Sequence, residues 1–343
     1  MLKREDARLN PLFFLKYSRD QASSRVRGFY MVEELERRGL NCDLVYGFGK
    51  RVYIEFLLKL MSYNIIYFQK RYSEIDVKLN KLARLAGKKT IFDIDDAPFG
   101  VSLNYKVGEQ AAMMMKVSSA VVVGSHKLRD FVRNFNNHVY LIPSSINLNY
   151  YKTKKENKGN NYTTLGWIGN GINYKQDLLM LIRPLEKIGR KYNVKLIIVG
   201  AFGQKEIHEG FSRMKNVVVE IVDSINWEDP IATPSVISNF DIGLYPLLDK
   251  EYNQYKCGFK ALEYMAMGIP VVASPIGENK FMVENGKDGF LALNEDDWEK
   301  SISYLIENKS IREKMGKRGR SKVENNYSLE VCASKLINVF KKL

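Results

Sequence analysis

The chain has few of the residues from which disulfide frameworks and metal centres are built. Its 343 residues include three cysteines, Cys42, Cys257 and Cys332, which lie far apart and form no Cys-x-x-Cys pair. The three histidines, at positions 126, 138 and 208, are scattered as well. This spacing argues against a disulfide scaffold, a zinc site and a multi-histidine metal centre. It favours a reducing compartment, and we therefore expect a cytoplasmic protein without a metal cofactor.

Long apolar segments are also lacking. No stretch approaches the roughly 18 consecutive apolar residues that a membrane-spanning helix requires. The first residues, MLKREDARLN, are charged where a secretory signal would be apolar, so we expect no leader there. The hydrophobic residues (45%) and charged residues (27%) occur in the proportions of ordinary globular proteins, and the length suggests two domains.

Negative charge is scarce. The chain has 53 lysines and arginines against 39 aspartates and glutamates, which gives a formal net charge of +14. This excess is compatible with nucleic acid, an anionic membrane surface or an anionic small molecule. Because no helix-turn-helix, zinc finger or aromatic–basic RNA motif is visible, we expect no nucleic-acid partner. Half of the excess positive charge lies in residues 308–343, and this basic segment could contact an anionic bilayer.

Short apolar runs alternate with longer amphipathic stretches in the first half of the chain. The runs predict strands at residues 12–15, 42–46, 64–68, 89–92, 120–123 and 139–142. Helical spacing of apolar residues predicts helices between them, for example over 24–38 and 77–86. Because the strands are almost continuously apolar, they are typical of buried parallel strands in a doubly wound α/β domain.

A second series of the same kind follows a polar segment, residues 151–163. We interpret this segment as a linker, with a surface loop as the alternative. The second series predicts strands at 164–168, 195–199, 217–221, 242–245, 270–273 and 289–292. Helices are predicted over 176–191, 259–267, 297–307, 311–324 and 329–342. We therefore expect two Rossmann-like domains, residues 1–150 and 164–324, facing each other across a cleft.

Two lysines and a glutamate stand near the start of the predicted helix 259–267. Lys256, Lys260 and Glu263 follow the spacing i, i+4, i+7, which places them on one helix face. Cations at a helix start oppose the macrodipole, so an anion bound between the lysines would explain their position. A solvated face with an ion pair between Lys260 and Glu263 is the alternative interpretation.

The segment around this helix resembles a known family. Residues 259–277 (FKALEYMAMGIPVVASPIG), with DIGLYPL at 241–247 and GKDGF at 286–290, are similar to the retaining nucleotide-sugar glycosyltransferases of family 4. In the first half, SSRVR at 23–27 and DIDD at 93–96 resemble a bacterial branch that acts on surface polysaccharides. The resemblance implies the GT-B fold, α/β with two Rossmann-like doubly wound parallel sheets, and a last helix, residues 325–343, that crosses back to the first domain.

The resemblance also implies roles for residues of the second domain. Glu263 matches the second acid of the family's E-x7-E motif, which binds the nucleotide ribose. Tyr255 stands where the first acid is expected, so the contact to the donor sugar differs here. Lys256 and Lys260 are then expected to bind the donor diphosphate.

A glycine loop, GWIGNG at residues 166–171, follows the first strand of the second domain. Glycines there let backbone N–H groups approach a phosphate at a helix start, while a plain tight turn is the alternative. The family has a phosphate-binding arginine and lysine in this stretch; Lys175 matches the lysine, whereas Asn170 replaces the arginine. A small-residue turn at 274–277 would offer further N–H groups. The expected donor contacts are Gly169, Asn170, Gly171, Lys175, Lys256, Lys260, Glu263, Pro275, Ile276 and Gly277.

Acidic residues follow the fourth predicted strand of the first domain. Three clustered acids, Asp93, Asp95 and Asp96, suggest Mg²⁺ or Mn²⁺, but the resemblance implies an enzyme that needs no metal. Asp95 takes the place of a histidine found in many family members. We expect Asp95 and Asp96 to contact the donor sugar or the acceptor, with helix capping or loop hydrogen bonds as the alternative. The remaining acceptor or cleft candidates are Ser23, Ser24, Arg25, Arg27, Arg71 and Tyr255, and either serine is also suited to cap a helix.

Residues and resemblance together predict a retaining glycosyltransferase in bacterial polysaccharide biosynthesis. Its donor, a nucleotide-diphosphate sugar, is a co-substrate, and its acceptor is a glycan or a lipid-linked glycan. Cations and polar groups preorganised around the leaving diphosphate would supply the catalysis, and the expected catalytic residues are Asp95, Asp96, Lys175 and Lys260. The expected location is the cytoplasm, with peripheral attachment to the inner face of the plasma membrane left open. A nucleotide-sugar 2-epimerase of the same fold and a non-catalytic nucleotide-sugar-binding subunit are the alternatives.

Overall fold

The structure is a computed structural model that describes residues 9–98, 105–153 and 161–343. The charged segment at residues 1–8 and most of the predicted linker lie outside these ranges. The chain divides into two compact units. The first unit comprises Met1–Ser145, Gln254–Cys257 and Tyr327–Leu343, and the second comprises Ile146–Asn253 and Gly258–Asn326.

The first unit is built on a parallel sheet of six strands within the described residues. They are β1 (Pro11–Leu15), β2 (Asp43–Tyr46), β3 (Ile65–Gln69), β4 (Lys89–Ile94), β5 (Ala120–Val123) and β6 (Val139–Leu141). Their order is β2-β1-β3-β4-β5-β6, and Phe14 of β1 lies opposite Val45 on one side and Phe68 on the other. All six predicted strands are confirmed to within a few residues, because burial on both faces made them continuous apolar runs.

Helices connect these strands. They are α1 (Ala22–Ser24), α2 (Tyr30–Arg37), α3 (Lys50–Leu60), α4 (Glu74–Leu85), α5 (Tyr105–Val117) and α6 (His126–Val132). The predicted single helix over 24–38 is interrupted, because Arg25–Phe29 forms a π-helical turn between α1 and α2. Helix α4 begins with a capping box in which Ser73 and Asp76 satisfy each other's backbone N–H groups.

The second unit repeats the plan with a second six-stranded parallel sheet. Its strands are β7 (Thr163–Ile168), β8 (Val194–Val199), β9 (Val218–Val222), β10 (Ile242–Tyr245), β11 (Val271–Ala273) and β12 (Gly289–Leu291), in the order β12-β11-β10-β7-β8-β9. All six of its predicted strands are confirmed as well. Two parallel sheets with flanking helices confirm the predicted fold class.

The helices of the second unit depart from the prediction in one place. They are α7 (Gly171–Leu179), α8 (Ile182–Gly189), α9 (Lys205–Ser212), α10 (Ala232–Ile237), α11 (Phe259–Ala266), α12 (Asn279–Met282), α13 (Glu295–Glu307) and α14 (Lys309–Asn326). The predicted helix 176–191 is wrong, since α7 starts five residues earlier and ends before α8 begins. Pro184 explains the break. In a continuous helix its ring would clash with the carbonyl group of Met180, and it has no N–H to donate to that carbonyl oxygen.

The final helix, α15 (Leu329–Lys342), belongs to the first unit and packs against α2. Its apolar side, including Leu336 and Phe340, is buried. The Arg38 guanidinium donates to the carbonyl oxygen of Glu330 at 2.7 Å and to the Ser334 hydroxyl at 2.7 Å. No helix among the described residues is long and apolar enough to span a bilayer.

Candidate functional site

The loops that follow β7 and β10 mark the point in the second sheet where the strand order reverses. The chain runs from β7 outward to β8 and β9, and from β10 outward to β11 and β12, with β7 and β10 paired. In open α/β sheets this switch point is where ligands bind, outside the carboxyl ends of the strands. The predicted glycine loop follows β7 at this position.

The glycine loop is held close to its neighbours by backbone contacts. Gly171 N donates to the carbonyl oxygen of Gly200 at 2.7 Å. A Cβ on Gly171 would lie 2.7 Å from the carbonyl oxygen of Ala201, so only glycine fits there. The Asn170 side chain accepts from the N–H groups of Ile172 and Asn173, and Asn170 is therefore the N-cap of α7. The residue that replaces the family's arginine thus has a structural role.

Lys260 reaches this loop from the first turn of α11. Its side chain is 8% exposed, and its Cε would lie 2.3 Å from a Cβ on Gly169. Its ammonium nitrogen is 3.4 Å from the ring centroid of Tyr174 and 5.0 Å from that of Tyr245. Within the part of the chain that the structure describes, no oxygen atom accepts a hydrogen bond from this nitrogen. A buried ammonium therefore lies beside the glycine loop with aromatic faces as its neighbours.

Glu263 lies one turn further along α11 and is also buried. The Tyr151 hydroxyl donates to Glu263 Oε1 at 2.7 Å. Burial of both Lys260 and Glu263 excludes the interpretation of a solvated Lys/Glu face. Sequence reasoning missed Tyr151 and Tyr174, because nothing in the local pattern pairs residue 151 with 263 or 174 with 260.

The remaining donor-side candidates of the second unit have partners of their own. Lys175 forms an ion pair with Glu206 of α9 at the surface. In the turn after β11, Ile276 N donates to Ser274 O at 2.8 Å and Asn279 N donates to Ile276 O at 3.3 Å. These two N–H groups serve the turn itself, and Gly277 supplies the positive φ of 60° that the turn needs, next to Pro275. The expectation that the N–H group of Ile276 is available to a ligand is therefore corrected, whereas the role of Gly277 stays a prediction.

A cluster of opposite charges lies at the carboxyl end of β4 in the first unit. Lys70 Nζ is 2.7 Å from Asp95 Oδ1 and 2.9 Å from Asp96 Oδ2. Lys256 Nζ is 3.5 Å from Asp96 Oδ1. Burial by itself would lower the pKa of Lys70, but the two aspartates outweigh that effect and raise it well above its ordinary value.

The position of Lys256 corrects one prediction. Helix α11 starts at Phe259, so Lys256 is not on the same helix face as Lys260 and Glu263. It belongs instead to the segment Gln254–Cys257, which is part of the first unit. In that segment, the backbone oxygen of Tyr255 accepts from the Ser125 hydroxyl at 3.0 Å, and the Tyr255 ring packs edge-on against Phe131.

Asp93, the third acid of the cluster, is fully buried and paired with Arg27. The Arg27 Nε atom donates to both carboxylate oxygens, at 2.9 and 3.1 Å, and Nη1 donates to the carbonyl oxygen of Ile142 at 3.0 Å. Burial alone would lower the pKa of Arg27, but Asp93 outweighs it and raises the pKa well above its ordinary value. Arg27 therefore fastens the π-helical turn to β4 and to the residue that follows β6, so it has a structural role in place of the predicted acceptor contact.

Three other cleft candidates of the first unit, Arg25, Arg71 and Ser24, also form hydrogen bonds within that unit. Arg25 donates to the carbonyl oxygens of Arg19 and Asp20, at 2.9 and 3.0 Å. Arg71 is buried over the ring of Phe14 and donates to Asp76 at 2.7 Å. Ser24 donates to the Gln69 side chain at 3.0 Å, and neither Ser24 nor Ser23 caps a helix, because Gln21 occupies the N-cap position. Arg25, Arg71 and Ser24 therefore hold the loops after β1 and β3, and the role of Ser23, which is half-buried, stays a prediction.

Comparison with known proteins places these features in context. Residues 162–308 match the sequence model of the family described as "Glycosyl transferases group 1". The chain is 24% identical over 189 residues to CapM, a capsular polysaccharide biosynthesis glycosyltransferase of Staphylococcus aureus, which covers 53% of this chain and 46% of that relative. The matched stretches span less than half of the length of the curated relatives.

Solved structures match almost the whole chain. Sucrose-phosphate synthase from Thermosynechococcus elongatus matches with a TM-score of 0.76 and 14% identity, over 97% of this chain and 98% of that one. HepE from Anabaena, in complex with UDP and glucose, matches with a TM-score of 0.73 and 16% identity, over 97% and 99%. This fold is GT-B. The glycine loop, Lys260 and Glu263 of the GT-B chain lie inside the family match, whereas Asp95 and Asp96 lie outside it.

No group of three or more histidine, cysteine, aspartate or glutamate side chains among the described residues is arranged to hold a metal ion. The acidic cluster of the GT-B first unit is instead bonded to lysine and arginine.

Proposed function

We propose that this chain is a retaining glycosyltransferase that moves a sugar from a nucleotide-diphosphate donor to a glycan or lipid-linked acceptor. The observation that carries the proposal is Lys260, a buried ammonium beside the glycine loop at the switch point of the second sheet. A buried cation is costly unless it is paired, and its place in the first turn of α11 adds repulsion from the helix dipole. A bound diphosphate would remove both costs.

In this proposal the second unit holds the donor. Lys260 contacts the diphosphate beside the glycine loop, where the N–H groups of Gly169 and Gly171 already bond to the carbonyl oxygens of Val199 and Gly200. Lys175 exchanges Glu206 for a phosphate oxygen. Glu263 accepts from the ribose hydroxyls, and the Tyr151 hydroxyl holds its carboxylate in place. A carboxylate suits a diol because it has two acceptor oxygens.

In the first unit, we assign Asp95 and Asp96 to contacts with the donor sugar or the acceptor. Lys70 forms ion pairs with both carboxylates and Lys256 forms one with Asp96, which holds the two side chains in place. The bond between the anomeric carbon and the diphosphate breaks, and the acceptor oxygen bonds to that carbon on the same face. The acceptor proton passes to a donor phosphate oxygen, so the chain itself needs no additional base. Preorganised positive charge at Lys260 stabilises the leaving group.

The relatives support the proposed substrate classes. CapM is named for capsular polysaccharide biosynthesis, and the HepE structure contains UDP and glucose. We therefore assign a UDP-sugar as the first donor to test, and a bacterial surface glycan on a lipid carrier as the acceptor. The site of action that follows is the cytoplasmic face of the membrane, without a resident cofactor and without nucleic acid.

A product assay tests this proposal. The purified chain is incubated with radiolabelled UDP- and GDP-sugars, with and without a bacterial lipid extract. We expect acceptor-dependent transfer, with the anomeric configuration of the donor retained in the product by NMR. An isomerised nucleotide sugar without transfer would indicate a 2-epimerase instead. Nucleotide binding without any product would indicate a non-catalytic binding subunit, and either outcome would reject the proposal.

A further inference from the structure

Helix α3 of the first unit is apolar on two sides. Phe56 and Leu60 face the sheet and are buried. On the opposite side, Leu58 is 77% exposed and Met61, the residue after the helix, is 68% exposed, while Ile54 and Leu57 of α3 are exposed too. A surface helix normally carries polar residues there, so this second apolar stripe is unexplained by folding.

Helix α4 continues the exposed stripe. Leu85 is 86% exposed and Leu82 is also exposed, although both follow the helical spacing that predicts α4 from sequence. The ends of the two helices lie together, because they precede the paired strands β3 and β4. The Lys88 ammonium donates to the carbonyl oxygen of Met61 at 2.9 Å, which joins the end of α3 to the turn after α4.

Basic residues border these apolar side chains. The exposed or half-buried cations on and beside the two helices are Lys50, Arg51, Lys81, Arg84, Lys88 and Lys89. The exposed acids of α3 and α4, Glu55 and Glu74, form ion pairs with Lys59 and Lys78 of their own helices. The net charge of the surface is therefore positive.

We propose that this surface docks on an anionic lipid bilayer. We call it the apolar–basic face and define it by Ile54, Leu57, Leu58, Met61, Leu82 and Leu85 with the six bordering cations. The leucine and methionine side chains enter the interfacial region, and the cations contact the anionic headgroups. The proposal concerns the first unit alone and does not depend on the proposed donor.

Charge and apolar area together favour a bilayer over other occupants. A symmetric contact between two copies would place the same six cations against each other, which costs energy. Electrostatics alone would instead favour α14, where Lys314, Lys317 and Arg318 are exposed. Among the described residues, however, α14 exposes no large apolar side chain, and α3 and α4 combine both properties.

Co-sedimentation of the full chain with vesicles tests the proposal. The vesicles contain equal parts of phosphatidylglycerol and phosphatidylcholine, and pure phosphatidylcholine vesicles are the comparison. We expect binding to the anionic vesicles that weakens with added salt. The double variant L58S/M61S is expected to bind the anionic vesicles at least about tenfold more weakly, because two apolar side chains no longer enter the interface.

Three further variants make the test specific. L85S on α4 is expected to weaken binding independently of α3. L293S, which removes a 71% exposed leucine from the second unit, is expected to bind like the unmodified chain. Unchanged affinity of both L58S/M61S and L85S would overturn the proposal, and so would loss of binding only in K314Q/K317Q/R318Q. Failure of the unmodified chain to bind anionic vesicles would also overturn it. None of these outcomes bears on donor binding, which needs no vesicle.

Discussion

At the scale of single residues, the charges of the first unit form a balanced network. Lys70 has a φ of 54°, a left-handed backbone that is unusual for lysine, and such strain often occurs at functional positions. Its ammonium bonds to Asp95 and Asp96. Burial would raise the pKa of Asp96, but Lys70 and Lys256 outweigh that effect and lower the pKa below its ordinary value.

Replacement of Asp96 by asparagine tests this network. A carboxyl whose folded pKa is lowered contributes stability above its unfolded pKa, and loses that contribution as the pH falls through the folded value. We expect D96N to unfold more easily than the unmodified chain near neutral pH, by about 1.5–3 kcal/mol. The difference in unfolding free energy between D96N and the unmodified chain should narrow below about pH 4. Thermal unfolding over this pH range measures it.

The control for this prediction is D130N, which removes an exposed aspartate of the same unit. It is expected to have little effect at any of these pH values. A D96N protein as stable as the unmodified one near neutral pH would contradict the role of the network.

Residue identities predicted some of the site and missed the rest for a physical reason. The segment that resembles the family predicts Lys260 and Glu263 as donor contacts, and the structure brings Lys260 to the glycine loop. The spacing of residues 256, 260 and 263 predicts Lys256 on the same helix face. Helix α11 instead starts after Gly258, whose positive φ of 72° turns the chain. Local spacing cannot reveal where such a turn sends the preceding residues.

At the scale of elements, the strands were predictable and the helix ends were less so. Buried parallel strands have continuous apolar sequences, and all twelve predicted strands occur among the described residues. The π-helical turn at Arg25–Phe29 leaves no such mark. It is held by the ion pair between Arg27 and Asp93, which lie 66 residues apart in the sequence.

The start of α7 gives a prediction that separates folding from ligand binding. N170A removes the N-cap of α7 and is expected to lower the unfolding free energy by about 1 kcal/mol. N170D keeps a capping oxygen, so its stability should match that of the unmodified chain. Its added negative charge lies where we propose the diphosphate binds, so nucleotide affinity should fall. Thermal unfolding and calorimetry of both variants would measure these effects. Equal nucleotide affinity of N170D and the unmodified chain would contradict a phosphate at this loop.

At the scale of the whole molecule, the chain forms two units, each with its own sheet and core. Leu336 of α15 is buried in the first unit, and Leu305 of α13 is buried in the second. Each Leu→Ala change is expected to cost about 2–5 kcal/mol. Hydrogen exchange should show L336A loosening α2 and L305A loosening α8, with the other unit unaffected. Equal loosening of both units by either variant would contradict separate cores.

The basic residues behind the net charge of +14 divide among several roles across the molecule. Lys260 is assigned to the donor, Lys70, Lys256 and Arg27 to internal pairs, and the cations of the apolar–basic face to a bilayer. Sequence composition alone indicated an anionic partner, but the division of the charge depended on which lysines are buried and paired.

The central claim is that Lys260 is held in place for the diphosphate of a donor nucleotide. Calorimetric titration of UDP and GDP into the unmodified chain, K260M and the control K300M tests it most directly. We predict that K260M binds the nucleotide about 10–100-fold more weakly, because a charge-assisted contact is lost. Since a buried cation without an oxygen partner disappears, K260M should unfold at the same or a higher temperature. K300M changes an exposed lysine of α13 and should bind normally. Undiminished nucleotide affinity in K260M would contradict the account.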